Sequence, residues 1–386
     1  MNIQRPDDQK TLEKKKVYFP NLNGLRFIAA ALVIIHHIEQ FKSIYMVDNY
    51  FETIPFIGII GKLGVVLFFV LSGYLITYLL LTEENSFHKI SIRKFYIRRM
   101  LRIWPLYFFI IILAFLVLPN IELFTLPGFG KDVIYSNLLL KLFLYVIFFP
   151  NLVLSLLGAI PYASHLWSIG TEEQYYLLWP VILKHIKKYR IILMLFIIVS
   201  YLAFGQMMSS RYTDFLPYKN VIKAFWSSFN IDCMAIGGIY AILLFQKSNL
   251  LKFIQNNAVF YLTITVVILL IIKGVYIPHV HYEFYSILFG IIILNYSTND
   301  KIKISLENNL FNYFGNISYG LYMYHPIGIV LALATGISIG TTTNWLIYPL
   351  SFIWTIILAG FSYKYFESFF LKFKDKFAIV LSGNRP

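Results

Sequence analysis

Charged residues are scarce in this chain of 386 residues, where Asp, Glu, Lys and Arg make up 13% and hydrophobic residues 58%. Soluble domains carry about 25% charged residues, so this composition excludes a soluble protein of this size. The single cysteine, Cys233, excludes an internal disulfide. An HExxH motif, a cysteine-rich metal site, a phosphate-binding glycine loop and a GxSxG elbow are also missing. We therefore expect no bound metal, and these absences argue against a metalloprotease, an ATPase and a serine hydrolase.

Long apolar runs are what the chain has in abundance. A bilayer core about 30 Å thick needs about 20 apolar residues per helix, and such runs recur along the sequence between short basic connectors. The sequence predicts an all-α polytopic membrane protein with about ten transmembrane helices. They are expected near residues 22–41, 58–81, 100–118, 165–183, 191–208, 224–245, 257–273, 282–297, 313–334 and 344–366.

Residues 134–162 are hydrophobic but broken by proline, asparagine and glycine. Counting them as one more crossing would place the later basic connectors outside, whereas leaving them out keeps every basic connector in the cytoplasm. We interpret this segment as a re-entrant or outer-face element, or a pair of short helices, that lines a cavity. Both termini are then cytoplasmic.

The basic residues lie in short clusters beside the hydrophobic runs, which is typical of cytoplasmic loops. A net charge of +14 could suggest a nucleic-acid partner, but this distribution of the basic residues argues against one. The partner that it predicts is the lipid bilayer. Lys14, Lys15 and Lys16 are expected to hold the first end in the cytoplasm. The predicted division is a polar cytoplasmic tail (1–20), a membrane domain (21–371) and a basic cytoplasmic tail (372–386).

Ionisable side chains within membrane helices are costly, so each is a functional candidate. Arg26 and His37 are eleven residues apart, which is three turns plus about 20°, so both face one stripe roughly 16 Å apart along the axis. His36 is rotated about 100° away. From geometry alone, His37 is as well explained by packing as by function.

A second polar group is SHLWSIGTEEQYYLLWP, residues 164–180. His165, Ser168, Glu172 and Tyr176 fall on one helical stripe, whereas Glu173 points about 100° away. Glu172 could act as a base, an orienting partner or a buried hydrogen-bond acceptor. The convergence of several polar types favours a functional role.

Three further stretches carry candidates. In IRRMLRIWPLYF (97–108), Arg99 and Arg102 are one turn apart and could either mark membrane topology or clamp a phosphate. In SYGLYMYHP (318–326), His325 precedes Pro326, which frees a backbone carbonyl. In FFVLSGYLI (68–76), a serine and a glycine are best explained by close helix packing.

In this order the motifs resemble the acyltransferase-3 family of membrane O-acyltransferases, from Leu22 to about Phe370. An arginine and a histidine separated by ten residues match Arg26 and His37, and an Arg-x-x-Arg pair matches Arg99 and Arg102. FFVLSGYLI and SYxLYxxHP are also present. The family's WSxxxExxFY pattern is matched by Trp167, Ser168, Glu172, Tyr175 and Tyr176, with Tyr175 in place of the usual phenylalanine.

The resemblance implies a multi-pass enzyme of a bacterial inner or plasma membrane, with no permanently bound cofactor. Such enzymes transfer an acetyl or short acyl group from acyl-CoA, here as donor substrate, to a hydroxyl of a cell-surface sugar, polysaccharide or lipid-linked glycan. Some relatives carry an extracytoplasmic hydrolase-like domain after the membrane part, and we expect this chain to act without one.

The resemblance and the residues together suggest roles for the candidates. Arg26, Arg99 and Arg102 would bind the phosphates of the donor, since guanidinium groups suit phosphate oxygens. His37 would act as a base or carry the acyl group, and Glu172 would orient His37 or the acceptor. Ser168, Tyr176 and His325 would bind substrate. A membrane transporter or flippase of a glycan or small metabolite is the alternative function, because it too buries charged residues beside broken helices.

Overall fold

The structure, a computed structural model, describes residues 16–382 of the chain. Short helical turns and two two-residue strands accompany the main helices. These helices are α1 (Leu22–Ile44), α2 (Pro55–Phe87), α3 (Ile92–Ile112), α4 (Lys131–Tyr135), α5 (Leu138–Val146), α6 (Pro150–Leu157), α7 (Trp167–His185), α8 (Arg190–Ser209), α9 (Lys219–Phe229), α10 (Ile231–Phe245), α11 (Leu250–Ile254), α12 (Asn257–Ile272), α13 (His281–Thr298), α14 (Asn309–Asn316), α15 (Ser318–Ser338), α16 (Asn344–Ser362) and α17 (Ser368–Lys376).

Seven helical stretches between residues 16 and 382 are long and apolar enough to span a membrane. They are Leu22–Ile44, Pro55–Phe87, Ile92–Asn120, Arg190–Ser209, Lys219–Phe245, Ser318–Ser338 and Asn344–Lys376. The all-α prediction is confirmed. The number of ten crossings and the cytoplasmic placement of both termini remain predictions.

The other three predicted crossings are helical, but each is a weaker candidate. Helix α7 carries Glu172 and Glu173, α13 carries Glu283 near its start, and α12 has 16 residues. The predicted crossing at 224–245 is also not one helix, because the backbone turns at Asn230 between α9 and α10. Hydrophobicity therefore located helical elements at all ten predicted positions, and the number that cross the membrane stays a prediction.

Residues 134–162 contain α5 and α6, which agrees with a pair of short helices. Their turns are tied to neighbouring helices: Tyr107 of α3 donates to the carbonyl of Tyr145 at 2.8 Å, and Gln174 of α7 donates to the carbonyl of Phe148 at 2.7 Å. The large cavity described below is lined by other parts of the chain. The segment thus contacts α3 and α7 and does not line this cavity, and its predicted place beside a cavity stays a prediction.

Helices α1, α2 and α10 pack closely at the centre of the molecule. Ala29 and Ala30 of α1 are fully buried. A Cβ atom on Gly73 of α2 would overlap the backbone of Met234, and one on Gly237 of α10 would overlap the carbonyl of Val70. The packing role predicted for the small residues of 68–76 is therefore confirmed at Gly73.

The two ends of the described chain meet. Strands β1 (Lys16–Val17) and β2 (Leu381–Ser382) pair in parallel, and Arg98 of α3 donates to the carbonyl of Phe377 at 3.1 Å. Residues 16–20 and 372–382 are thus part of the folded body, whereas the sequence predicted separate tails there. The prediction for Lys14 and Lys15 lies outside the described residues.

Candidate active site

A cavity of about 430 Å³ lies among α1, α2, α3, α7, α15 and α17. Aromatic and aliphatic side chains form much of its wall, and charged side chains from distant parts of the sequence line it as well. The cationic ones are Arg26, Arg99, Arg102 and Lys374, and the acidic ones are Glu172, Glu367 and Asp375.

The three arginines that the sequence singled out lie together around this cavity. Arg26 comes from the first turns of α1, and Arg99 and Arg102 from successive turns of α3. None of them forms an ion pair in the described part of the chain, where Lys374 pairs with Asp375 at 3.6 Å. Arg26 and Arg99 are half-buried and Arg102 is exposed, and guanidinium groups that line a cavity without a carboxylate partner favour an anionic ligand.

Neighbouring side chains hold these arginines in place without neutralising them. Arg26 donates to the side-chain oxygen of Asn23 at 3.1 Å. The Arg99 guanidinium lies 5.4 Å from the ring centroid of Tyr176 and 5.7 Å from that of Phe95. These contacts orient the cationic groups and leave donors for a ligand.

Glu172 hydrogen-bonds with two hydroxyl groups. Its Oε1 accepts from Ser72 at 2.9 Å and its Oε2 from Tyr176 at 3.1 Å. Glu173 instead accepts from the indole of Trp104 at 2.9 Å, in line with the predicted 100° separation. Glu172 thus lies at the cavity and contacts Ser72 and Tyr176. The sequence predicted that it would orient His37 or the acceptor, and no hydrogen bond joins it to His37 within residues 16–382.

His37 and His325 form a pair beyond the cavity lining. His37 Nδ1 lies 3.1 Å from His325 Nε2 and 3.0 Å from the carbonyl oxygen of Val33. His325 is fully buried and is not among the residues that line the cavity. The sequence predicted that it would bind substrate. His36 has a different hydrogen-bond partner, with Nδ1 2.7 Å from the carbonyl of Ile57, although its ring centroid lies 5.2 Å from that of His37.

A chain of contacts joins the cavity to the histidine pair. Ser168 and Tyr322 both line the cavity, and their hydroxyl oxygens are 2.6 Å apart. The backbone carbonyl of Tyr322 accepts from His325 Nδ1 at 2.6 Å. On the far side, the His165 ring centroid lies 5.1 Å from that of His325. The arginines, the hydroxyls and the histidines therefore belong to one connected region.

Sequence reasoning missed several residues of this region. Ser72 was assigned to packing, Lys374 to a tail, and Tyr322 and Glu367 received no role, although all four line the cavity. The basic tail and the SYGLYMYHP stretch were visible signals. Their convergence could not be seen because they come from separate helices.

Comparison with known proteins identifies the family to which the chain is similar. Residues 19–364 match the family model described as an acyltransferase domain. The chain is 29% identical over 387 residues to O-acetyltransferase OatA of Staphylococcus aureus (strain NCTC 8325 / PS 47), covering 94% of this chain and 59% of that protein. It is 30% identical over 194 residues to peptidoglycan O-acetyltransferase OatA of Listeria monocytogenes, covering 48% of this chain and 28% of that protein.

A putative O-acetyltransferase of S. aureus (strain COL) is 28% identical over 377 residues, covering 94% of this chain and 59% of that protein. This chain therefore spans about three fifths of the length of curated relatives that it matches along nearly all of its own length. No solved structure matches it. Because the family model covers most of the sequence, from before α1 to the end of α16, the chain belongs to the acyltransferase-3 family of multi-pass membrane proteins.

Proposed function

We propose that this protein is a membrane O-acetyltransferase that moves an acetyl group from acetyl-CoA to a hydroxyl of a cell-surface glycan. The observation that carries the proposal is the set of three arginines around one cavity that form no ion pair within residues 16–382. A volume of about 430 Å³ falls within the usual range for a small-molecule site, roughly 300–1,000 Å³.

The donor is expected to bind with its phosphate groups at the arginines. Guanidinium groups bind phosphate oxygens through two parallel hydrogen bonds, and lysine offers only a point charge. Beside Arg99 and Arg102 lies a smaller cavity of about 40 Å³, where Arg98 pairs with Glu83 and Lys374 with Asp375. Under the predicted topology this end faces the cytoplasm, where acetyl-CoA is made.

The acetyl group then has to reach the histidine pair. Arg26 and His37 lie on one stripe of α1, roughly 16 Å apart along the axis, so an extended donor bound at Arg26 would point its thioester towards His37. His37 removes the proton from the acceptor hydroxyl while the hydroxyl oxygen attacks the thioester carbonyl. The carbon–sulfur bond breaks, and the departing thiolate takes the proton from His37.

The acceptor is proposed from the relatives. Peptidoglycan is the acceptor class in the name of the Listeria protein, and a glycan hydroxyl suits the hydroxyl-rich wall formed by Ser72, Ser168, Tyr176 and Tyr322. An acyl-histidine intermediate is the alternative route, in which His37 carries the acetyl group before the acceptor takes it.

The proposal is tested with purified protein in nanodiscs, radiolabelled acetyl-CoA and a soluble peptidoglycan fragment. We expect label in the fragment with the wild type, a fall of about 100-fold or more with His37→Ala, and a much smaller loss with His36→Ala as the matched control. Wild-type rates in His37→Ala would refute the role of His37. Fragment that crosses sealed vesicles without becoming acetylated would instead identify a transporter.

A further inference from the structure

The His-Pro pair at 325 and 326 creates a specific hydrogen bond within α15. In a regular helix the carbonyl of Tyr322 would accept from the backbone N–H of residue 326, but Pro326 has no N–H. The freed carbonyl instead lies 2.6 Å from His325 Nδ1. A carbonyl oxygen can only accept, so Nδ1 of His325 carries the hydrogen and, in the neutral ring, Nε2 has an available lone pair.

The same reasoning fixes the tautomer of His37. Its Nδ1 lies 3.0 Å from the carbonyl of Val33 and 3.1 Å from His325 Nε2. Both partners are acceptors, so Nδ1 of His37 carries a hydrogen shared between them. The neutral His37 ring must then keep its lone pair on Nε2, the nitrogen on the opposite side from His325.

We infer that His325 is a positioning residue that holds His37 in the tautomer needed to accept a proton at Nε2, and that it contacts no substrate. This inference rests on the proposed function of His37 as a base. When His37 takes the proton of the acceptor hydroxyl at Nε2, it becomes an imidazolium with both nitrogens protonated. The Nδ1–H bond to His325 then becomes charge-assisted and stronger, while His325 stays neutral.

The surroundings of His325 suit this role. Its side chain is fully buried, and its hydrogen bonds run to the Tyr322 carbonyl and to His37. The other titratable rings against it are His165, at 5.1 Å between centroids, and Tyr322, at 5.7 Å. A neutral imidazole thus occupies the place that a carboxylate takes in serine hydrolase triads.

Two substitutions separate positioning from substrate binding. His325→Leu removes the acceptor, and we expect kcat to fall about 100-fold, with the KM values for acetyl-CoA and the glycan fragment within about twofold of the wild type. His325→Gln places an amide near the position of Nε2, and with its oxygen turned to His37 it should recover at least a tenth of the wild-type kcat. His36→Gln serves as the control, because the hydrogen bond given for His36 within residues 16–382 runs to the Ile57 carbonyl, although its ring centroid lies 5.2 Å from that of His37.

A raised KM with unchanged kcat in His325→Leu would make His325 a substrate contact and overturn the inference, as would a kcat unchanged in both variants. Nitrogen-15 NMR of histidine-labelled protein in nanodiscs gives a second test that needs no activity. We expect the wild-type His37 ring to be protonated at Nδ1, and a ring protonated at Nε2 would refute the inference. Full activity of His37→Ala would instead refute the proposed function and leave the tautomer measurement to decide on the hydrogen bond.

Discussion

At the scale of single residues, the cavity is lined by arginines that form no ion pair within residues 16–382. Arg102 lines the cavity through α3 and forms no ion pair within residues 16–382, although Glu367 and Asp375 also line that cavity. Arg102 is exposed to solvent, so water can hydrate its guanidinium group when no ligand is bound. The phosphate groups of the proposed donor would displace that water and form charge-assisted hydrogen bonds with the guanidinium group.

Replacing Arg102 by alanine tests the proposed contact between Arg102 and the phosphate groups of the donor. A charge-assisted hydrogen bond contributes roughly 1.5–3 kcal/mol, so Arg102→Ala should raise the KM for acetyl-CoA by about 10- to 100-fold. Arg93→Ala is the matched control, because Arg93 lies on the same helix but is exposed and away from the cavity. An unchanged KM with an unchanged rate in Arg102→Ala would remove the phosphate-binding role.

The sequence predicted which polar residues lie on the same face of one helix, but not which residues of other helices they contact. Helical spacing grouped Arg99 with Arg102 and separated His36 from His37, and the structure agrees with both. The partners of these residues lie on other helices: His325 is 288 positions from His37, and Ser72 is 100 positions from Glu172. One-dimensional spacing contains no information about such pairs.

At the scale of helices, the active region depends on close contact between α2 and α10. The overlap at Gly73 involves the backbone of Met234, which cannot rotate away as a flexible side chain could. Because α2 also carries Ser72, which donates to Glu172, this packing sets the position of one cavity wall. Small residues permit this approach because their side chains take up little space between the backbones. Such packing matters in a membrane, where the hydrophobic effect contributes little to helix association.

Two glycine substitutions on the same helix measure this effect. Gly73→Ala forces the two backbones apart and should destabilise the protein by about 1–3 kcal/mol. Gly58→Ala is the control, since a Cβ there meets nothing within 4 Å and alanine favours the helix by about 0.5–1 kcal/mol. Thermal unfolding in detergent should show a lowered midpoint for Gly73→Ala only. If Gly73→Ala and the wild type had equal midpoints, the backbones of α2 and α10 could move apart at this glycine without a loss of stability.

Helix positions were predictable because apolar runs are long, but helix continuity was not. The break at Asn230 and the splitting of 134–162 into short helices depend on local backbone geometry and on contacts with other helices. Hydropathy averages over such breaks. The folded position of residues 372–382 was missed for a similar reason, because basic residues alone resemble a tail.

At the scale of the whole molecule, the two ends of α1 differ in charge chemistry. Near its start Arg26 lines the cavity and has no ion pair in the described part of the chain, whereas near its end Lys42 is buried and pairs with Glu39 at 3.0 Å. Glu39 also accepts from Tyr348 of α16 at 2.8 Å. The far end is therefore closed by fully partnered charges, and the basic end remains available for an anion.

The orientation of the protein in the membrane therefore tests the proposed donor, because acetyl-CoA reaches only the cytoplasmic face. Cys233 is fully buried, so single cysteines introduced at exposed positions can be labelled against a low background. In intact cells, a membrane-impermeant maleimide should label Tyr212→Cys, whose position is 90% exposed after α8. It should label Lys94→Cys, exposed at the start of α3 beside the arginines, only after permeabilisation. The reverse pattern would place the arginine cavity outside and contradict acetyl-CoA as its ligand, since the donor would then have to cross the bilayer first.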